Sequence, residues 1–374
     1  MNKPDKKPKI LLWGTFDTKQ PRIRILIEGI MASGFDLGLI SYNIWAGYSD
    51  KSLIKGAFKR IRVLILLVFA YIEMLVNYIF SRKNDFILIS YPGLMDIFVL
   101  YPFALLRGEK IIWDVFIPMY ECVIEDRKLF SPKSICAKGL YWLEYIALRL
   151  ADRVFLDTKA HARYLEKQYK LQDGLVGRVF VGAENCFFND TQRVQKDKPF
   201  EVLFFGKFIP LQGLETIIGA AKLLQEKEAD VRFKIVGQGQ ESDKIDDLIS
   251  LYELKNVERI KWLDYPDLIA AVNETDICLG IFGKTNKTQN VIPNKVFQAL
   301  AMNRPVITLD TPAIRELCDL GDFKNLLLVG DNRPETLSEA ILRYKNRPFE
   351  HLETLKIDYK LVGKQFAEFM NYTT

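Results

Sequence analysis

The sequence predicts an α/β protein built of two doubly wound parallel-sheet domains, and three observations predict it. The chain has 374 residues, more than one ordinary hydrophobic core accommodates and enough for two domains of roughly 150 to 200 residues. Short apolar runs rich in β-branched and aromatic residues alternate with helical segments, the pattern of strands buried on both faces with helices between them. A polar stretch near the middle, "AENCFFNDTQRVQKDKPF", interrupts that alternation and reads as a connection between domains.

Taken in order, the first half offers "KILLW", "DLGLIS", "FILIS", "KIIWDV", "RVFLD" and "RVFVG" as strands with helices between them. Residues 1–183 are expected to form the first domain and 184–199 the linker. The second half is more regular: "EVLFFG", "VRFKIVG", "RIKWL", "DICLGI", "PVITL" and "NLLLVG" alternate with helices such as "GLETIIGAAKLLQEK", "NKVFQALAM" and "RPETLSEAILRYK", giving a second domain over 200–350. Residues 351–374, around "YKLVGKQFAEFM", add one more helix after that pattern is complete, expected to cross back onto the first domain. Two such domains predict a ligand cleft between them, lined by the carboxyl ends of strands.

Composition narrows the class. Apolar residues make up 49% and charged residues 26%, as in an ordinary globular protein. The net charge of +5 hides a basic start: residues 1–62 hold 12 Lys and Arg against 5 Asp and Glu, a surface suited to phosphate or anionic lipid. No nucleic-acid-binding signature accompanies it, so nucleic acid is not an expected partner. Five cysteines (Cys122, Cys136, Cys186, Cys278, Cys318) are widely spread with no C-x-x-C pair, which points to free thiols in a reducing compartment and away from disulfides or zinc. The opening "MNKPDKKPKILLWGTFD" reads as a strand, its apolar run too short for a signal peptide.

Residues 63–80, "VLILLVFAYIEMLVNYIF", are apolar except for Glu73 and Asn77, and Lys51, Lys55, Lys59, Arg60 and Arg62 lie just before them. A mid-helix carboxylate costs a few kcal/mol inside a bilayer, which disfavours a span. The run is either a core helix or a membrane-surface helix, and the adjoining basic residues favour the latter, with Lys55, Lys59, Arg60 and Arg62 on anionic head groups.

Two loops carry the chemistry. In "FFGKFIPLQGLETIIGAAKLL", Gly206 and Lys207 follow a strand, and Gln212 and Gly213 open a helix. In "GKTNKTQNVIPNKVFQALAM", a polar loop with Lys284 and Lys287 runs through Ile292 and Pro293 into a helix whose first turn holds Asn294 and Lys295. Helix starts with free N–H groups and a nearby cation hold phosphate, and a pair of them suits a diphosphate. A plain strand-to-helix turn and a solvated lysine loop remain the alternatives. His161, on "KAHARYLEKQY", reads as a surface or capping residue, and Glu121, Glu125 and Asp126 as an acidic, mostly solvated loop. No metal site or Ser-His-Asp arrangement is expected.

These loops, with "GTFDTKQPRIRIL", "SYPGLMDI" and "WDVFIPMYECVIEDRKL" in the first half, resemble glycosyltransferase family 4, in particular a subset with "IPNKV" and "FIPLQG" motifs. The resemblance implies a GT-B fold of two Rossmann-like domains. It also implies a retaining, metal-independent transferase that moves a sugar from a nucleotide diphosphate sugar to a glycan or lipid-linked acceptor, with no cofactor. The expected setting is cytoplasmic, peripheral on the inner face of the membrane, in cell-surface polysaccharide or glycolipid synthesis. The family's diphosphate-binding Arg and Lys match Lys207 and Gln212, so Lys284, Lys287 or Lys295 would replace the second cation. The family's two glutamates, for donor sugar and ribose, match Asn290 and Gln298, amides that bond hydroxyls without supplying charge. A catalytically weakened nucleotide-sugar-binding partner of another transferase is the alternative these losses leave open.

By the family's layout Gly237, in "VGQGQE", and Leu263, in "KWLDYP", lie where backbone groups read the base. Asp114, ending "KIIWDV", would meet the acceptor or donor sugar, and a carboxylate there could deprotonate an acceptor hydroxyl. Gly14 and Thr15 follow the first strand, where a small residue admits a ligand to the backbone. Arg22 would reach a phosphate, or lie on a helix surface, and Glu184 would stand on the acceptor side.

Overall fold

The protein is described by a computed structural model covering residues 8–44, 57–188, 199–321, 323–346 and 357–372. It divides into two units, Met1–Val181 together with Tyr359–Thr374, and Gly182–Asp358.

In the first unit the chain runs β1 (Lys9–Gly14), α1 (Pro21–Ala32), β2 (Asp36–Ser41), α2 (Ala57–Phe80), β3 (Phe86–Ile89), α3 (Leu94–Arg107), β4 (Lys110–Asp114), α4 (Ile135–Leu150), β5 (Arg153–Leu156), α5 (Lys159–Tyr169) and β6 (Val176–Arg178). The strands form one parallel sheet in the order β2-β1-β3-β4-β5-β6. Its central strands bury nearly every side chain, as both faces of a parallel sheet require. α2, α3, α4 and α5 close one face around Trp13, Trp113, Ile87 and Ile89. The last strand ends earlier than "RVFVG" suggests: ladder pairing stops at Arg178, and Val179 gives its N–H to Leu156 O at 2.8 Å before the chain turns away.

The second unit runs β7 (Phe200–Phe205), α6 (Leu214–Glu226), β8 (Val231–Val236), α7 (Ser242–Leu251), β9 (Val257–Ile260), α8 (Tyr265–Glu274), β10 (Ile277–Leu279), α9 (Asn286–Asn290), α10 (Asn294–Ala301), β11 (Val306–Leu309), α11 (Pro312–Cys318), β12 (Leu326–Val329) and α12 (Pro334–Lys345). Its parallel sheet has the order β12-β11-β10-β7-β8-β9, so the winding reverses between β7 and β10. Three local expectations shift. The strand read as "RIKWL" is Val257–Ile260, with Trp262 beyond it and exposed. The polar loop before "IPNKV" contains a short helix, α9. Residues 182–188 belong to the second unit, where the 3-10 turn Asn185–Phe187 packs on α10; the rest of the expected linker, 189–198, lies outside the described residues.

The final helix, α13 (Tyr359–Phe369), packs on α1 in the first unit. Gly29 and Gly363 let the two backbones touch: a Cβ on Gly363 would stand 2.0 Å from Gly29 O. Phe366 and Phe369 pack on Phe155 of β5, so α1 and α13 close the second face of the sheet.

Two buried polar clusters tie the first unit together, and both correct the sequence reading. Asp114 at the end of β4 is fully buried and takes two bonds from Arg22 of α1, Nε to Oδ2 at 3.0 Å and Nη2 to Oδ1 at 2.9 Å. Arg22 Nη1 also donates to Val179 O and Phe180 O. Burial pushes the Asp114 carboxyl up, and the guanidinium pulls it back. His161 is likewise buried, not on the surface: its ring nitrogens lie 2.8 Å from Asp157 Oδ1 and 3.0 Å from Glu121 Oε2. Glu121 opens a π-helical turn, Glu121–Asp126, far from being a solvated loop; Asp126 is buried too, and Glu125 accepts from Tyr164 Oη and from Gln168 Nε2. Glu144 of α4 accepts the N–H of Met119 and Tyr120 just before that turn.

Burial alone would lower the His161 imidazole, but the carboxylates of Glu121 and Asp157 outweigh it and lift it to about 9. A folded-state value above the unfolded one contributes stability that is complete below about pH 6.5 and lost as pH rises through 9, on the order of 3 kcal/mol. Urea denaturation between pH 6 and 10 is expected to show this loss in the wild type and not in His161→Gln. Removing one partner of a buried ion pair leaves the other uncompensated, so Arg22→Ala is expected to cost about 3–5 kcal/mol in the same measurement.

Candidate functional site

The reversal of winding between β7 and β10 opens a crevice at their carboxyl ends, the place where open α/β sheets bind ligands. Gly206 leaves β7 there with φ +147, and a Cβ on it would stand 3.3 Å from Lys295 Nζ. The neighbouring Gly237, after β8, has φ +137 and touches Gly206 O so closely that a Cβ would reach 1.8 Å. Only glycine satisfies both the dihedral and the contact.

Lys295, in the first turn of α10, fills the crevice. Its Nζ donates to Gln212 Oε1 at 2.5 Å and to Gly280 O at 3.3 Å, and it lies 3.6 Å from the Phe204 ring centroid. These partners are neutral, and the side chain is only 6% exposed. Burial holds its pKa well below the usual lysine range. An ammonium placed this way gains most from an arriving anion, because a charge removed from water and not neutralised is costly.

Of the three lysines the sequence offers as the replacement cation, Lys295 is the one beside Gly206 and Gln212. Lys287 is buried on α9, and Lys284 is exposed at a recess of about 620 Å³ lined by Gly283, Thr285, Asp310 and Asn332. Lys207 is exposed next to Gly206. Ile292 is buried, Pro293 gives its carbonyl to Val296 N, and Asn294 begins α10. Asn290, 7% exposed, ends α9. Gly237 has both backbone groups engaged, N–H to Ile260 O and C=O from Arg259 Nη1; Leu263 is half-buried after β9.

Gln298, one turn beyond Lys295, donates from Nε2 to Glu184 Oε2 at 3.0 Å. Tyr265 Oη donates to Glu184 Oε1 at 2.8 Å, and its ring packs edge-on to Phe187. Glu184 therefore belongs to the second unit, beside α10. The sequence marked "KWLDYP" for its backbone, and nothing in it singled out the Tyr265 hydroxyl.

Asp114 and Arg22 are buried against one another, with Arg22 also on Val179 O and Phe180 O, so neither is the exposed acid or the surface arginine the sequence suggested. The space over Gly14 is taken by Asp96, whose Oδ2 a Cβ would meet at 2.5 Å. Asp96 also holds Thr15 through N and Oγ, and Tyr71 through its hydroxyl. What approaches the backbone after β1 is a buried carboxylate of the protein itself. Among the described residues no group of three or more His, Cys, Asp or Glu side chains is placed to hold a metal ion.

Residues 199–346 match the family described as glycosyl transferases group 1. An uncharacterized glycosyltransferase of Methanocaldococcus jannaschii is 24% identical over 237 residues, 62% of this chain and 59% of that protein. The putative colanic acid biosynthesis glycosyltransferase WcaL of Salmonella typhimurium is 25% identical over 178 residues, 47% of this chain and 43% of that protein. The chain thus matches less than two thirds of either relative's length.

Among solved structures, HepE of Anabaena in complex with UDP-glucose has a TM-score of 0.68 at 14% identity, over 97% of this chain and 99% of that one. Sucrose-phosphate synthase of Thermosynechococcus elongatus has 0.67 at 16%, over 98% and 94%. At such identities the likeness is one of fold, two α/β units of the GT-B kind. The body of the second unit, residues 199–346, carries the glycosyl transferases group 1 pattern, on a two-unit fold that the chain shares with HepE and sucrose-phosphate synthase.

Proposed function

We propose that this protein is a glycosyltransferase that takes a sugar from a nucleotide diphosphate sugar and delivers it to a membrane-associated glycan or lipid-linked acceptor. The observation that carries the reading is Lys295: a buried lysine amine among neutral partners, at the switch point of a doubly wound sheet and against Gly206. A diphosphate supplies the missing negative charge. As the sugar leaves, charge builds on that diphosphate, and a fixed cation in a poorly hydrated crevice stabilises it more than water does. Lys207 adds a second, exposed cation at the mouth of the same loop. Asn290 would orient the donor sugar by hydrogen bonding. Retention of configuration and independence of metal are read from the family 4 resemblance.

The acceptor side rests on α2. Ala70, Met74 and Tyr78 face the core of the first unit, while Leu64, Ile65, Val68, Phe69, Ile72, Val76, Ile79 and Phe80 are exposed by 46% or more. A helix whose outward face is apolar reverses the usual amphipathic order. Neighbouring α3 and α4 add Leu105, Leu106, Trp142 and Leu143 to the exposed apolar surface. Arg62, Lys133 and Lys138 are exposed on or near these helices. An anionic membrane surface fits both properties, with the helix lying in the interface and not crossing it. Lys55 and the side chains of Lys59 and Arg60 lie outside the described residues. The likeness to WcaL, a putative colanic acid biosynthesis glycosyltransferase, supports a polysaccharide product. The amides at 290 and 298 keep the second reading, a donor-binding partner of another transferase, in play.

Nucleotide release from UDP-, GDP- and ADP-sugars, with and without membrane lipid extract, tests the reading. Lipid-stimulated release from one donor is expected; tight binding with no release under any condition would favour the binding-partner reading. Lys295→Ala is expected to weaken binding of the matching nucleoside diphosphate at least tenfold by calorimetry, with the fold retained. In flotation assays the full chain is expected to rise with vesicles containing anionic lipid and not with neutral ones, and Leu64→Asp/Phe69→Asp to stay behind. Equal indifference of the wild type to both vesicles would sink the membrane assignment.

A further inference from the structure

We infer that Lys295 is a neutral amine before the donor binds and takes up one proton from solvent as the diphosphate arrives, so that donor binding is proton-coupled. The inference rests on the donor-binding reading above and adds to it how the charge of the site is switched on.

The surroundings of the amine carry it. Lys295 Nζ is held by two carbonyl oxygens, Gln212 Oε1 at 2.5 Å and Gly280 O at 3.3 Å. A neutral amine has two N–H groups, which these acceptors use up, whereas an ammonium has three. The face of Phe204 is its other neighbour, with the ring centroid 3.6 Å from Nζ. An aromatic face attracts a cation, but weakly against the hydration that a side chain only 6% exposed has given up. Elsewhere the chain meets a buried cation with an acid: Arg22 with Asp114, and His161 with Glu121 and Asp157. Among the described residues no carboxylate bonds Lys295. The titratable side chain that acts on it is Cys278 of β10, a thiol that burial pushes up to about 12 and so keeps un-ionised; Arg304, buried near that thiol, is a cation as well. Of the elements around the amine, the loop after β7 brings Lys207, exposed and of like sign, α6 opens with Glu215, exposed and paired with Lys244, and α10 has no other ionisable side chain. Burial among such neighbours holds the amine well below the usual lysine range.

A diphosphate reverses that balance. Its oxygens accept the third N–H, and negative charge at contact distance favours the ammonium. The proton comes from water or buffer and adds to the Nζ lone pair, and no bond of the donor breaks in this step. A charge present only with its ligand spares the crevice a bare buried cation.

Calorimetry of the full chain with UDP, GDP and ADP, in buffers of different ionisation enthalpy, counts the protons exchanged. The range is about pH 7.5 to 9.5, above the phosphate pKa of about 6, so that the nucleotide brings no proton change of its own. For the nucleotide that binds, the wild type is expected to take up about one proton per site, with its affinity falling about tenfold per pH unit as the pH rises through that range. Lys295→Arg, whose guanidinium stays charged, is expected to bind with no uptake and with an affinity flat in pH. Binding by the wild type without proton uptake overturns the inference and leaves the donor-binding reading intact, and so does uptake that persists in Lys295→Arg. No binding of any of the three diphosphates by the wild type overturns both. Should Lys295→Arg not fold by circular dichroism, NMR of the wild type labelled with carbon-13 lysine decides. One lysine Cε resonance titrating well below the rest, and moving up with nucleotide, supports the inference; all of them titrating together near the ordinary lysine pKa of about 10.4 rejects it.

Discussion

A buried lysine amine with only neutral neighbours is an unfinished interaction, and the second unit is organised around it. Lys295 reaches its place because β7 and β10 part where the winding reverses, because α10 begins there, and because Gly206 offers no side chain to block it. Gln212, Gly280 and Phe204 hold the amine by dipole and ring face, which orients it without neutralising it. Full neutralisation by a carboxylate would close the crevice to phosphate. The half-satisfied state is the useful one, because it keeps affinity in reserve for a ligand.

Around that residue, amides and charged groups far apart in the chain are paired in space. In the loop after β7 the Gln212 amide is bonded to Lys295. On α10 the Gln298 amide is bonded to Glu184. In both pairs the neutral residue is the hydrogen-bond partner of the charged one. Electrostatic recognition depends on where charge stands relative to the ligand and on the dielectric around it, so the backbone position that delivers it is free to change.

The first unit uses its charged groups differently. Arg22 and Asp114 join α1 to β4 and to the chain leaving β6, and His161 joins α5 to the turn that follows β4. Both clusters lie at the carboxyl edge of the sheet. They tie the loops at that edge to the helices beside them. The same unit leaves large apolar side chains exposed on α2, α3 and α4.

The sequence by itself determined the two α/β units and nearly all the strands of the described residues, because alternating apolar runs and helix starts are local properties of the chain. It also singled out Gly206, Gln212 and Lys295, which the structure brings together. It misread Asp114, Arg22, His161 and Glu121, since an acid or histidine at a strand or helix end looks the same whether its partner is solvent or a residue far along the chain. Arg22 meets Asp114 across 92 positions, Lys295 meets Gln212 across 83, and Gln298 meets Glu184 across 114. Only the tertiary structure decided which charges neutralise one another and which stay available, because pairing over such separations is set by sheet order and helix packing, and neither is written in the spacing of the residues themselves.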